Sequence, residues 1–295
     1  MPFSISTFVK SLSAVLFALW ASVAYGQETS EMRKLCEGIS VRLKSFEISE
    51  MADDQSGCII KNGAIDHDSR VQWHFKSLTI TGDYGTSGRS YPQLPPRGSF
   101  AVDELILLTG RFPGQDYIMR HTATPISYRF SYEFDSKGRS LRVGELSATS
   151  KLGRVGLAGE AKVDFDLKAE LHAFEEYAQY VDISEFSFEV LNSGLFESLI
   201  LPLVVGVVGF DVDPEARITS FQSALSDEIA ALPESQASGM SKSALKKFIG
   251  EFPHPAGPFK ASIKFGSPVS AEALRKGEVD VSALLKTVKI DAVYE

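Results

Sequence analysis

ISYRFSYEF, residues 126–134, sets Ile126, Tyr128, Phe130, Tyr132 and Phe134 at alternate positions, with Ser127, Arg129, Ser131 and Glu133 between them. Successive side chains of an extended strand point to opposite faces. This spelling therefore makes one apolar, largely aromatic face and one polar face, the pattern of a half-buried strand. Wound into a helix, the same residues would scatter both sets around the circumference. Tyr128, Phe130, Tyr132 and Phe134 are the candidate apolar ligand face.

The same period continues on both sides. Downstream, Asp135-Ser136-Lys137-Gly138 has turn chemistry, and Gly153-Arg154 marks a second turn. Ala161, Val163, Phe165 and Leu167 alternate with Lys162, Asp164, Asp166 and Lys168, and Phe186, Phe188 and Val190 repeat the pattern. Upstream, Val71, Trp73 and Phe75 share a phase that Leu78 and Ile80 break, which places a bulge near Lys76 and Ser77. Short links between such strands favour antiparallel neighbours. Tyr84 to Gly98, rich in Gly, Ser and Pro, has the composition of a long exposed loop.

From Gly194 to Gly250 the pattern turns helical. Leu195–Phe210 is the most apolar stretch beyond the N-terminus, and burial against the sheet is its expected role. Asp213-Pro214-Glu215 predicts a capped helix running to about Leu232, stopped by Pro233. Ser241 is the expected cap of a further helix ending at Gly250, and Ser270 the cap of a short one. Residues 281–287 suggest another short helix. Phe259, Ala261, Ile263 and Phe265 alternate as a strand, and Val288, Ile290, Ala292 and Tyr294 as the last one. The expected fold is α+β: a large, curved antiparallel sheet with helices (about 194–250) packed on one face.

Residues 1–26 have the three parts of a signal peptide: Lys10, an apolar run from Leu12 to Ala24, and small residues that allow cleavage after Ala24 or Gly26. The expected compartment is the periplasm, with residues 27–295 forming a single α+β domain. An oxidising space favours bridging of the two cysteines, Cys36 and Cys58. Closing a loop of about 20 residues contributes about 3 kcal/mol by chain entropy. The net charge of −8 repels phosphate backbones, so nucleic acid is not an expected partner.

Chemical motifs are sparse. Asp66-His67-Asp68 with His74 has no standard zinc spacing, and Asp211-Val212-Asp213-Pro214-Glu215 lacks the Gly and distal Glu of a calcium loop. Asp164 and Asp166 lie between Lys162 and Lys168, as a charge-balanced solvated face would. His254, between Pro253 and Pro255, fits a turn. There is no G-x-S-x-G elbow, Walker loop or dinucleotide fingerprint, so no cofactor, metal or catalytic residue is expected.

Three stretches carry a resemblance: VGLAGEAKVDFDL at 155–167, ISEFSFEVLNSGLFE at 183–197, and ALKKFIGEFPHPAGPFKASIKFGSPVS at 244–270. In them a strand ending in N-x-G-L leads into helices, followed by a Pro-bearing link, a strand and a P-V-S turn. This resembles uncharacterised β-rich periplasmic proteins of alphaproteobacteria and, remotely, AsmA-like envelope proteins with curved sheets and greasy interiors. The resemblance implies an envelope protein and no active-site residue. The expected function is non-enzymatic binding of an apolar ligand such as a lipid, or of an envelope protein partner. The alternatives are an envelope hydrolase with dispersed catalytic residues and a structural or assembly factor of the envelope.

Overall fold

The computed structural model describes residues 51–54, 57–68, 71–82, 96–108, 112–135, 137–164, 178–201, 213–276, 284 and 287–295. The expected signal peptide, Cys36, residues 28–48, most of the loop from 84 to 98, Phe165 to Lys168, residues 202–212 and most of 281–287 lie outside them. The chain divides into two compact units: one holds the described residues up to Lys151 together with Asp164, the other holds Leu152–Val163 and Ala178–Glu295.

The N-terminal unit is an antiparallel meander of β1 (Met51–Asp54), β2 (Gly57–Asp68), β3 (Val71–Gly82), β4 (Arg97–Leu108), β5 (Ile126–Asp135) and β6 (Ser140–Ser150). Helix α1 (Pro113–Thr122) stands between β4 and β5. Register lines the apolar residues up in rows across the strands. Cys58, Ile80, Phe100, Phe130 and Leu146 form one row, and Ile60, Leu78, Val102, Tyr128 and Ala148 the next. Cys58, Ile60, Phe75, Leu78, Phe100, Val102, Leu105 and Tyr128 are buried together as one cluster.

The phase change in β3 coincides with a local irregularity. Pairing to β4 is interrupted between His74↔Ile106 and Ser77↔Asp103. On the flanking strands Asn62 and Glu104 both take φ near +53°, the left-handed region that non-glycine residues rarely enter. The β4–β5 register slips between Val102 and Leu105. The extra residue reverses the inside–outside order, so Phe75 and Leu78, an odd number of residues apart, both reach the core. The turn expected at 135–138 joins β5 to β6, where the Lys137 N–H donates to the Asp135 carboxylate (2.9 Å).

The opposite face of these strands is polar. Asp103 accepts from Ser77 Oγ and from Arg129 Nη2, both at 2.6 Å, and Thr81 bonds Ser99 at 2.6 Å. Burial alone would raise the Asp103 pKa, but those two hydrogen bonds and the Arg129 charge hold the carboxylate below its ordinary range.

The C-terminal unit contains β7 (Gly153–Val163), β8 (Val181–Asn192), β9 (Phe259–Ser270) and β10 (Lys289–Tyr294), again antiparallel and in sequence order. Helices α2 (Pro214–Ala231) and α3 (Gly239–Gly250) lie between β8 and β9 in the chain, and α4 (Ala271–Lys276) follows β9. The apolar rows here are Val155, Val190, Phe259, Tyr294 and Leu157, Phe188, Ala261, Ala292. Helix α3 packs Ala244, Leu245 and Phe248 against Phe188, Phe259, Ala261, Ala292 and Tyr294, while Val155 and Leu157 of β7 stay exposed. The Phe248 ring stacks on Phe259 at 4.0 Å and 9°, and Phe196 and Tyr294 meet it edge-on. Antiparallel strands with a few helices make the chain α+β.

The expected cap of α2 is present: Asp213 accepts from the Glu215 N–H (3.0 Å), Pro214 opens the helix, and Leu232 ends it. The expected cap of α3 is corrected from Ser241 to Ser238, whose hydroxyl accepts from Ser241 N at 3.1 Å. Ser241 is instead buried inside the helix, and its hydroxyl accepts from the Ala292 N–H of β10 (3.2 Å). Ser238 and Ser241 sit one helical turn apart, so a serine near an apolar periodic run does not by itself show which of the two caps it. Ser270 accepts from Ala273 N at 3.4 Å, as a cap of α4.

Candidate functional site

Two features are distinctive enough to carry function. The first is the apolar face of the N-terminal unit. Tyr128 and Tyr132 are buried, whereas Phe130 and Phe134 are half-buried. Phe130 stacks on Tyr132 with ring centroids 5.7 Å apart. Tyr132 lies across Gly98, where an added Cβ would come within 2.6 Å of the phenol ring. Glycine at that point of β4 leaves room for the ring. Desolvation pushes the Tyr128 phenol up to about 12.

Trp73, Ile80, Ile126, Phe130 and Ala148 are partly buried around the cluster. The indole Nε1 of Trp73 is shut away from solvent and has no hydrogen-bond acceptor among the described residues. No residue of α1 joins the described cluster. That helix buries none of its side chains, and it leaves Phe112, Tyr117 and Ile118 61%, 65% and 61% exposed.

The second feature is polar and sits where β8 ends. Asn192 Oδ1 accepts from Gly194 N (3.2 Å) and Phe196 N (3.0 Å), which fixes the sharp exit of the strand at Gly194, φ +116°. Its Nδ2 donates to the Pro255 carbonyl (3.0 Å) and reaches Glu197 (3.3 Å). The turn leads into a single π-helical turn, Phe196–Ile200, with Leu195 and Phe196 buried against Val190. His254 Nδ1 donates to Glu197 Oε1 at 2.8 Å. That bond, then a backbone hydrogen bond at Glu197, hold the Glu197 carboxylate below its usual range against the opposing effect of burial, with a lesser contribution from the Asn192 amide.

Next to this pair, Glu251 accepts from the Tyr294 hydroxyl, and the Ala256 and Gly257 N–H groups donate to Tyr294 Oη (2.9 and 3.2 Å). Gln222 of α2 donates to the Ile249, Gly250 and Phe252 carbonyls and so closes the end of α3.

A carboxylate–imidazole pair is a component of acid–base chemistry. His254 is largely exposed, and its described side-chain bonds reach only Glu197; among the described residues no serine or cysteine is bonded to it. The described contacts of Asn192, Glu197 and His254 brace two turns. Asn192 and His254 stand 62 residues apart in the chain, with no local signal in the sequence for their meeting.

The remaining sequence-level candidates separate. His74 Nε2 bonds Gln72 Oε1 at 3.2 Å, and no group of three His, Cys, Asp or Glu side chains is gathered among the described residues. Asp164 pairs with Arg139, and Asp166 lies outside the described residues. Cys58 is wholly buried in the N-terminal cluster and is not a free thiol. Its expected partner, Cys36, lies outside the described residues. Among these residues no helix is long and apolar enough to cross a membrane. No family model matches the chain, and no curated protein matches it.

Proposed function

We propose that this chain is an exported envelope protein, non-enzymatic, that holds an apolar ligand of lipid character on the face bearing Tyr128, Phe130, Tyr132 and Phe134. The observation that carries this reading is the one-sidedness of the N-terminal strands. Their apolar rows run from β2 to β6, and the described helix of that unit, α1, buries none of its side chains. An apolar face needs an apolar neighbour. Half-buried Phe130 and Phe134, beside fully buried Cys58 and Leu78, suit a face whose margin meets a ligand. The predominance of structural hydrogen bonds around Asn192 and His254 favours binding over hydrolysis.

The test compares two phenylalanines. Phe259 is 1% exposed and stacked on Phe248, so Phe259→Ala should cost about 3–5 kcal/mol. Phe130→Ala should cost clearly less and should weaken binding of a fluorescent fatty-acid probe. A Phe130→Ala variant as unstable as Phe259→Ala, in a protein that never binds the probe, would reject the proposal and leave Phe130 as core.

A further inference from the structure

An edge strand turns every second residue's N–H and C=O away from its one neighbour, which makes it a template for pairing with another chain. Among the described residues β10 ends the strand order of the C-terminal unit. Its outer edge is nevertheless occupied. The Ile290 N–H donates to the Gln236 carbonyl (2.7 Å), and Ala237, in the link before α3, bridges Ile290 in parallel, like one residue of a further strand. Two residues on, the Ala292 N–H donates to Ser241 Oγ (3.2 Å), which is also bonded to Ser238 Oγ at 3.1 Å. Ala237 and Ser241 are 1% and 4% exposed, so the seal is packed as well as bonded. A hydroxyl is costly to bury unless it is bonded. Alanine at 241 would suit the helix and leave the Ala292 N–H unpaired.

Uncovered, this edge is complementary to itself. In an antiparallel pair of copies centred on Ala292, Ile290 faces Tyr294, Asp291 faces Val293, and Lys289 faces Glu295. No like charges are opposed, and Lys289 attracts Glu295. Lys289–Tyr294 (KIDAVY) also has balanced charge and neither Pro nor Gly, the composition of a segment that adds readily to its own kind. We infer that Gln236–Ser241 is a guard on the β10 edge, which keeps two copies of this chain from joining their sheets there.

The first readout is hydrogen exchange resolved to single amides in the full chain. Ile290 and Ala292 should be protected although both N–H groups face away from β9. In Ser241→Ala, Ala292 should exchange about fivefold faster, the equivalent of one neutral hydrogen bond. The second readout is mass in sedimentation velocity. Ala237→Asn puts a larger, polar side chain into a buried site and moves the link off the strand. It should add a concentration-dependent species of about twice the native mass, the closed pair that a two-fold contact makes. Ser241→Ala should add the same species at higher concentration, so the test stands even where Ala237→Asn fails to fold. Val293 is exposed on β10. Val293→Asp, placed in either variant, sets a carboxylate against Asp291 of the second copy and should abolish the species, whereas Val293→Lys should keep it. Unprotected Ile290 and Ala292 in the native protein, or an Ala292 rate unmoved by Ser241→Ala, would overturn the seal. A larger species absent from both variants, or one that survives Val293→Asp, would overturn the guard.

Discussion

Replacing Asn192 tests the most specific local arrangement in the C-terminal unit. Its side chain satisfies two backbone donors, Gly194 N at 3.2 Å and Phe196 N at 3.0 Å, and one acceptor, the Pro255 carbonyl at 3.0 Å. Asn192→Ala orphans all three. A net neutral hydrogen bond is worth about 1 kcal/mol, and water can replace part of the loss at a half-buried position. The expected destabilisation is therefore about 2–3 kcal/mol in urea or thermal unfolding.

Asn192→Asp sharpens the test. It keeps the acceptor for Gly194 and Phe196, but it turns a second carboxylate oxygen toward Pro255 O and toward Glu197, now 3.3 Å from the amide nitrogen. Two carboxylates that close raise each other's folded pKa, against the hydrogen bonds that otherwise hold Glu197 low. The repulsion is thus fully present at neutral pH and fades as pH falls through those raised values. The gap in stability between native and Asn192→Asp proteins should narrow from pH 7 toward pH 4. Exposed Ser193→Ala serves as control, within about 0.5 kcal/mol of native. A cost below about 0.5 kcal/mol for Asn192→Ala, or a pH-independent gap for Asn192→Asp, would show that the bracing does not hold the turn.

Three further outcomes are expected. Phe248→Ala, which removes the ring stacked on Phe259 and met edge-on by Phe196 and Tyr294, should cost about 3 kcal/mol in chemical unfolding, the low end for a half-buried phenylalanine. Glu251 has its pKa lowered first by the Tyr294 hydroxyl and then by the Ala256 N–H, so its contribution is present above its unfolded pKa and is lost as pH falls through the folded one. Tyr294→Phe should accordingly lower the melting temperature at neutral pH, by an amount that shrinks below about pH 4, the ordinary carboxylate range. Unfolded but unreduced protein should show no thiol to a labelling reagent, and Cys36→Ser should lower the melting temperature through the loop freedom it restores; labelling of two thiols would rule out the bridge.

Much of the architecture is legible where local pattern and burial agree. The alternation at 126–134 is β5 as written, and the phase break at Lys76 and Ser77 falls where Asn62 and Glu104 take left-handed φ. Asp213, Pro214 and Pro233 bound α2 because caps and prolines act locally. β4 is harder to see. The same irregularity at Glu104 resets its apolar phase, so Phe100 and Val102 fall out of step with Leu105. α1 has no buried side chain and hence no apolar period to find. The division at Leu152 has no composition change to mark it; the strands β7 and β8 resemble those before them and differ only in what packs on them.

The polar site is the least legible part. Asn192 is bonded to Pro255, and Glu197 to His254, through tertiary folding that brings the end of β8 to the link before β9. Trp73 reads simply as a strand aromatic, and only the packed structure shows its N–H without a partner.

The central proposal is that the aromatic face holds an apolar ligand of lipid character. The most direct measurement is mass spectrometry of organic extracts from the protein purified out of its native envelope without delipidation. Lipid-like apolar molecules are expected in near-stoichiometric amount, reduced in Phe130→Ala. Lipid-free protein that also leaves added fatty acid unbound would contradict the proposal.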